Sequence, residues 1–302
     1  MIKEIGKVVL DYTFYSEKDS YSDGDIENDI LDLVKNEKDV EKIIRQDDRW
    51  PVIYHLSPVR QNILEWYDFK ENAECLEVGS GCGAITGVLS RKTAYVDCVD
   101  LSERRCLINA YRNSQCDNVT IYIANFNNLR LEKQYDYITL IGVLEYAAYY
   151  TDSENPFVAF LKNIRKMLKP GGKVLIAIEN KYGLKYWNGK AEDHTGMYFE
   201  GITGYGRTKS RVRTFSKDKL QRIVEEAGYQ EITFYYPVPD YKFPRQIFSD
   251  AYLPSGGSIT FEKNVYDNNA FELFDENAAL KEIIADGKFD FFANSFFVEA
   301  EV

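Results

Sequence analysis

The sequence predicts an α/β protein built on a doubly wound, mostly parallel sheet of seven strands, and three observations carry that prediction. A short apolar run from Cys75 ends in Glu77, a glycine-rich turn of Gly79, Gly81 and Gly83 follows, and an apolar helical pattern then runs to Arg91: strand, tight loop, helix. Strand-like and helix-like segments alternate beyond it, the pattern of a parallel sheet covered by helices. Asp100 closes the next strand at its carboxyl edge, where open α/β sheets bind ligands.

In chain order, residues 1 to 73 read as an extension or lid that precedes the core. Lys7 to Tyr15 alternates like a strand, Tyr21 to Asp25 is a turn, Ile26 to Asn36 has helical spacing, and a weaker helix spans Asp39 to Gln46. Ser57 and Pro58 form an N-cap and N1 pair, so a helix is expected from there to about Tyr67. The domain proper, 74 to 302, follows. Its strands are Cys75 to Glu77, Tyr95 to Asp100, Val119 to Ile123, Tyr135 to Ile141, Lys173 to Glu179, Gln230 to Tyr236 and, antiparallel to the rest, Phe289 to Glu301. Helices are expected at Ser102 to Asn113, Pro156 to Leu168, Ser216 to Ala227 and Ala270 to Ala285. Two long stretches interrupt the order, at about 180 to 213 and 237 to 288. Long irregular segments in compact domains tend to be functional, and the first leaves the carboxyl end of a strand, so both are expected to face a substrate.

The composition narrows the function. With 37 basic and 48 acidic residues the net charge is −11, so the phosphate attraction that dominates nucleic-acid binding is missing. No apolar run approaches the roughly 20 residues that span a bilayer, and MIKEIGKVVLDYTFY has no signal-peptide core, so a soluble cytoplasmic protein is expected. The five cysteines include no CxxC pair and read as reduced, mostly buried thiols. Twenty-three Tyr and 18 Phe suit a pocket for an organic or sugar-like ligand, although most such rings belong to a core.

The glycine turn reads as a ligand cradle, because glycines allow positive φ and a close approach of the backbone, and the amides opening the next helix favour an anion. A dinucleotide would place its pyrophosphate there. S-adenosylmethionine would place its methionyl carboxylate there, with its ammonium near Glu77. Gly79, Gly81 and Ala84 satisfy a permissive dinucleotide fingerprint, with Asp100 about 20 residues on. The acid at Glu77 and the third glycine tip the balance toward S-adenosylmethionine.

Read as ExGxGxG, the residues Glu77, Gly79, Gly81 and Gly83 resemble the first motif of the class I S-adenosylmethionine-dependent methyltransferases, and LKPGG at Leu168 to Gly172 is another feature of that family. The resemblance implies a Rossmann-like fold in which Glu77, Gly79, Ser80, Gly81, Gly83, Asp100, Leu101, Asn125, Phe126 and Gly142 contact the cofactor, S-adenosyl-L-methionine. Asn125 stands where the family usually has an acid, but an amide oxygen still accepts from the adenine amino group. The [ND]PP[YF] motif of many amino-group methyltransferases is absent at Ile141 to Tyr146. HLSPVRQNILEW, IENKYGLKYWNGKAEDHTG and YYPVPDYKFP, with the glycine motif, look like bacterial methyltransferase domains found with glycosyltransferases and surface-polysaccharide proteins. That likeness implies a glycan, glycolipid or other small-molecule hydroxyl as acceptor, and a glycosyltransferase as a candidate partner.

A hydroxyl acceptor needs a base. The chain has two histidines, His55 and His194, and His194 in EDHTG is the first candidate, because the adjacent carboxylates can orient an imidazole and raise its pKa. Glu179, at the end of the fifth strand, is the second catalytic candidate. His55, Arg60, Tyr146, Asn180, Lys181 and Asp193 are expected to contact the acceptor. No local run of His, Asp or Glu has metal-ligand spacing, so no metal is expected. Two other readings are a nicotinamide-dependent oxidoreductase and a non-catalytic S-adenosylmethionine-binding partner of a glycosyltransferase.

Overall fold

A computed structural model describes residues 1–16, 24–37, 39–259 and 271–302. Most of the turn expected at Tyr21 to Asp25, and the first residue of the helix expected at Ala270, lie outside the described residues. The chain forms two compact units, Met1–Leu140 with Met167–Lys173, and Ile141–Lys166 with Val174–Val302.

The first unit carries strands β1 (Ile2–Ile5), β2 (Val8–Asp11), β3 (Glu74–Val78), β4 (Tyr95–Asp100), β5 (Val119–Ile123) and β6 (Tyr135–Ile141), in the order β1-β2-β5-β4-β3-β6. From β2 to β6 the neighbours are parallel, with Val9 opposite Thr120, Glu77 opposite Cys98 and Val78 opposite Leu140. β3, β4, β5 and β6 are buried almost throughout, which is why they read as near-continuous apolar runs. The N-terminal segment therefore does not stand apart as a lid: β2 is hydrogen-bonded into the sheet, and the boundary between compact units falls well beyond residue 73.

Helices Ile26–Asn36, Val40–Gln46 and Trp50–Leu56 bury Ile30, Val34, Ile43, Val52 and Leu56 together with Cys82 of the glycine turn and Ile108 of helix Glu103–Arg112. A buried ion pair, Arg105 Nε to Glu27 Oε1 at 2.7 Å, locks the first of them to the last. Asp39 and Ser102 are N-caps as their residue types suggest, accepting from Lys42 and Arg105. After Ser57 the expected α-helix is instead a 3-10 turn, Pro58–Gln61, and one α-turn, Asn62–Glu65. The Ile63 carbonyl is taken by the Trp66 indole, and the Tyr67 amide reaches back only three residues to Leu64, so the helix cannot continue.

The second unit carries β7 (Leu168–Glu179, which begins in the first unit), β8 (Gln230–Val238), β9 (Gln246–Ser249) and β10 (Ser295–Glu301), in the order β7-β10-β8-β9. β10 and β9 both run antiparallel to β8, with Phe297 opposite Tyr235 and Tyr235 opposite Ser249.

The described residues thus hold ten strands, not the seven expected. β1 and β9 are short strands that the sequence does not announce, and β2 joins the sheet. LKPGG lies inside β7 instead of ending a helix, since the helix stops at Arg165 and the carbonyls of Met167 and Leu168 accept from Tyr135 and Gln134. The last strand starts at Ser295, because Phe289–Phe292 forms a helical turn. Among the described residues no helix is long and apolar enough to cross a membrane.

Candidate functional site

In the first unit the glycine turn is built as the sequence implies. Gly79, Gly81 and Gly83 have φ of +70°, +50° and +74°, and the amides of Gly79 and Ser80 donate to the Val99 carbonyl. Asp100 braces the turn: its Oδ2 accepts from the Gly81 amide at 2.8 Å and its Oδ1 from the Ser102 amide at 3.0 Å. Behind Gly83 lies a buried polar network. Glu77 Oε2 accepts from Thr86 Oγ1 at 2.6 Å and from the Cys98 thiol, Asn109 donates to Thr86 Oγ1 at 2.9 Å, and Asn113 donates to the Gly83 carbonyl. Burial pushes the Glu77 carboxyl up to about 7 against those two donors, so Glu77 first of all supports the loop from within.

The Ser80 hydroxyl is buried with no hydrogen-bond partner among the described residues. Leu101, Asn125 and Phe126 are half-buried at the ends of β4 and β5, and Asn125 Oδ1 caps a short turn by accepting from the Asn127 amide. Cys82 is buried and its thiol is pushed up to about 12 by burial, so it takes no reactive part.

His55 and Arg60 also belong to the first unit. The His55 carbonyl accepts from Arg112 at 2.6 Å, and the Arg60 guanidinium lies 4.2 Å over the Tyr54 ring while donating to the Tyr54 carbonyl. These contacts hold the segment together.

An acid–histidine cluster in the second unit gathers what the sequence scatters. Glu145 comes from a 3-10 turn after β6, Glu179 is the last residue of β7, and His194 comes from the loop beyond. His194 Nδ1 lies 2.9 Å from Glu192 Oε1, while Nε2 faces Glu145 Oε1 at 3.7 Å and Glu179 Oε2 at 3.9 Å. Burial pulls the imidazole pKa down, but Glu179, Glu145 and Glu192 outweigh it and hold the ring well above its ordinary value. Glu145 is raised by burial and by its neighbour Glu179.

A second shell of charge surrounds these groups. The Lys242 ammonium donates to Glu179 and lies 3.3 Å from Asp193, and Lys185 bridges Asp193 at 3.1 Å and Asp240 at 3.4 Å. Lys185, Lys242 and Lys190 overcome the burial of Asp193 and drive its carboxyl well below the usual range. Lys190 is itself pushed down by burial to about 7. Tyr146 packs edge-on against the His194 ring.

Several expected contacts fall elsewhere. Asn180 is committed to backbone at both ends of its amide, donating to the Phe291 and Ala293 carbonyls and accepting from the Tyr182 amide, so it pins loops with both of its side-chain donors spent. Lys181 lies over the Tyr182 ring. Gly142 stands beside the cluster, since a Cβ there would lie 3.0 Å from Tyr241 Oη and 3.6 Å from Glu145 Oε1. Glu145, Lys185, Lys190, Asp240 and Lys242 are missed by sequence reasoning. The usable signal for Glu145 is an acid just past a strand end, beside the Tyr146 already singled out. For Lys242 it is a charged residue inside the apolar run YYPVPDYKFP.

Comparison with known proteins agrees with the first unit's geometry. Residues 76–174 match the family described as "Methyltransferase domain". A demethylmenaquinone methyltransferase of Tropheryma whipplei (strain Twist) is 29% identical over 103 residues, 34% of this chain and 40% of that protein, so the match spans less than half of the relative. Phosphoethanolamine N-methyltransferase 1 of Haemonchus contortus, solved with phosphoethanolamine and S-adenosylhomocysteine, superposes with a TM-score of 0.51 at 13% identity, covering 92% of this chain and 48% of that one. A possible histamine N-methyltransferase of Thermotoga maritima superposes with a TM-score of 0.47 at 15% identity, covering 86% of this chain and 97% of that one. The match over 76 to 174 is to a methyltransferase domain, the Haemonchus contortus structure shares the Rossmann-like fold, and together they support S-adenosyl-L-methionine as the cofactor.

Proposed function

We propose that the protein transfers the methyl group of S-adenosylmethionine to an acceptor oxygen of a small molecule, glycan or glycolipid. The first unit serves the cofactor through the Gly79–Gly83 turn and Asp100, with Asp100 taking the ribose hydroxyls. The second unit serves the acceptor through Glu145, Glu179 and His194. In the transfer the acceptor oxygen bonds to the methyl carbon, the carbon–sulfur bond breaks with its electron pair going to sulfur, and the hydroxyl proton is left to the protein.

The observation that supports this reading is the buried histidine held among three carboxylates. The sulfonium is already electrophilic, so what remains for the protein is to position the nucleophile and to take its proton. With Nε2 turned toward Glu145 and Glu179, the cluster acts as a unit and His194 is not a lone base. The glycan class and the glycosyltransferase partner rest on the sequence resemblance alone.

The test pairs two variants. Asp100→Ala should weaken S-adenosylhomocysteine binding by at least about tenfold in calorimetry. His194→Gln should keep that binding and lose methyl transfer from labelled S-adenosylmethionine to glycan or small-molecule fractions. Full turnover by His194→Gln would remove the cluster from the reaction.

A further inference from the structure

We propose that Glu145, Glu179 and His194 form a binding site for one divalent cation, with Glu192 orienting the imidazole. One donor atom from each of the three lies within 4.8 Å of the others. Donors on a common ion with bonds of about 2.0–2.2 Å stand roughly 3 to 3.5 Å apart, so the set closes with side-chain shifts of about 1 Å or a little more. The histidine is arranged as a metal ligand: Nδ1 is held by a carboxylate at 2.9 Å, which leaves Nε2 facing the two acids.

A second observation points to an occupant. Glu145 is 1% exposed and Glu179 0%, yet Oε2 of each has no hydrogen-bond partner among the described residues, and Glu179 Oε2 is the very oxygen turned toward His194 Nε2. A buried carboxylate oxygen without a donor is costly unless something positive binds it. The charge balance agrees: the buried acids Glu145, Glu179, Glu192, Asp193 and Asp240 outnumber the buried lysines beside them, Lys185, Lys190 and Lys242.

One imidazole and two carboxylates suit Mn²⁺, Fe²⁺ or Zn²⁺ better than Ca²⁺. Three protein donors leave coordination positions open, and, on the acceptor reading above, a hydroxyl in one of them would lose its proton more readily.

The test uses the full chain, stripped with a chelator and titrated with Mn²⁺ and Zn²⁺ by calorimetry in the absence of S-adenosylmethionine. One equivalent should bind, and Glu145→Gln and Glu179→Gln should each weaken it by at least about tenfold. Unchanged near-ultraviolet circular dichroism and thermal unfolding in the same variants show that they fold. Pulsed electron paramagnetic resonance of the wild-type Mn²⁺ complex needs no variant and should show nitrogen coupling from one imidazole. No stoichiometric binding, or an all-oxygen Mn²⁺ signal, overturns the site and leaves a proton as the occupant. Methyl transfer is measured separately: undiminished transfer by stripped protein that binds no metal sinks the site and spares the transfer, whereas metal bound with no transfer to any fraction does the reverse.

Discussion

Gly83→Ala should unfold the cofactor turn from behind, and its cost can be worked from the structure. The backbone at Gly83 has φ of +74°, where an L side chain costs roughly 1–2 kcal/mol. A Cβ there would lie 2.3 Å from Asn109 Oδ1 and 2.6 Å from Asn113 Nδ2. Both amides are buried and bonded, Asn109 to Thr86 and Asn113 to Asn109 at 2.8 Å, so moving them aside loses one or two hydrogen bonds, roughly 1 kcal/mol each. The total is about 3 kcal/mol, or a fall in Tm of roughly 6–12 °C. Gly81→Ala is the control. At φ of +50° it meets nothing within 4 Å, so its cost is about 1 kcal/mol and about 2–4 °C, but its methyl enters the open side of the cradle and should weaken S-adenosylhomocysteine by at least about tenfold. Thermal unfolding and calorimetry on both variants decide the matter. A Gly83→Ala protein that melts and binds like the wild type would refute the reasoning.

Three further outcomes are expected. Asn180→Ala strands two carbonyls and an amide in the second unit and should cost about 2–4 kcal/mol in denaturant unfolding; no loss would mean that solvent replaces the pin. Glu27→Ala leaves the Arg105 guanidinium buried without its carboxylate and should cost about 3 kcal/mol, read in the same way, with Glu27→Ala/Arg105→Leu recovering much of it. Asp136 is pushed up by burial but held down to about 2 overall by Lys169, the Glu74 amide and Lys70. Because its folded pKa lies below the unfolded value, its contribution is present at neutral pH and fades as pH falls from about 4 to about 2. Screening at the exposed lysines limits it to about 1 kcal/mol, and Asp136→Asn should flatten that limb of the pH–stability curve.

The parts of the fold visible in the sequence are those that obey local rules. The strands at Tyr95 to Asp100, Val119 to Ile123 and Tyr135 to Ile141 agree with the structure to the residue, because buried parallel strands read as mainly β-branched, aromatic and apolar runs between turn signals. The cofactor turn is equally local, since one strand, three glycines and the next strand's terminal acid suffice to specify it. β1 and β9 are four residues long and partly exposed, too short for alternation to announce them. The acid–histidine cluster is the opposite case. Glu145, Glu179 and His194 come from a 3-10 turn, a strand end and a loop, and only the fold shows them as one group. Asn180 shows the converse error: position after a strand end suggests a ligand contact, but the amide is spent on backbone.

The way the polypeptide is threaded has a consequence for how it can be made. Residues 167–173 return to complete the first unit, where Lys169 pairs with Glu74 and Asp136, so neither unit is an uninterrupted stretch of chain. During synthesis the cofactor-binding half therefore cannot close until Lys173 has left the ribosome, and by then the opening segment of the other half has also emerged. A fragment cut at Leu140 would lack Lys169, which pairs with both Glu74 and Asp136, and the Met167 carbonyl that receives the Tyr135 amide. A cut after position 173 would in turn strip Ile141–Lys166 from the second unit, so the gene is best left whole.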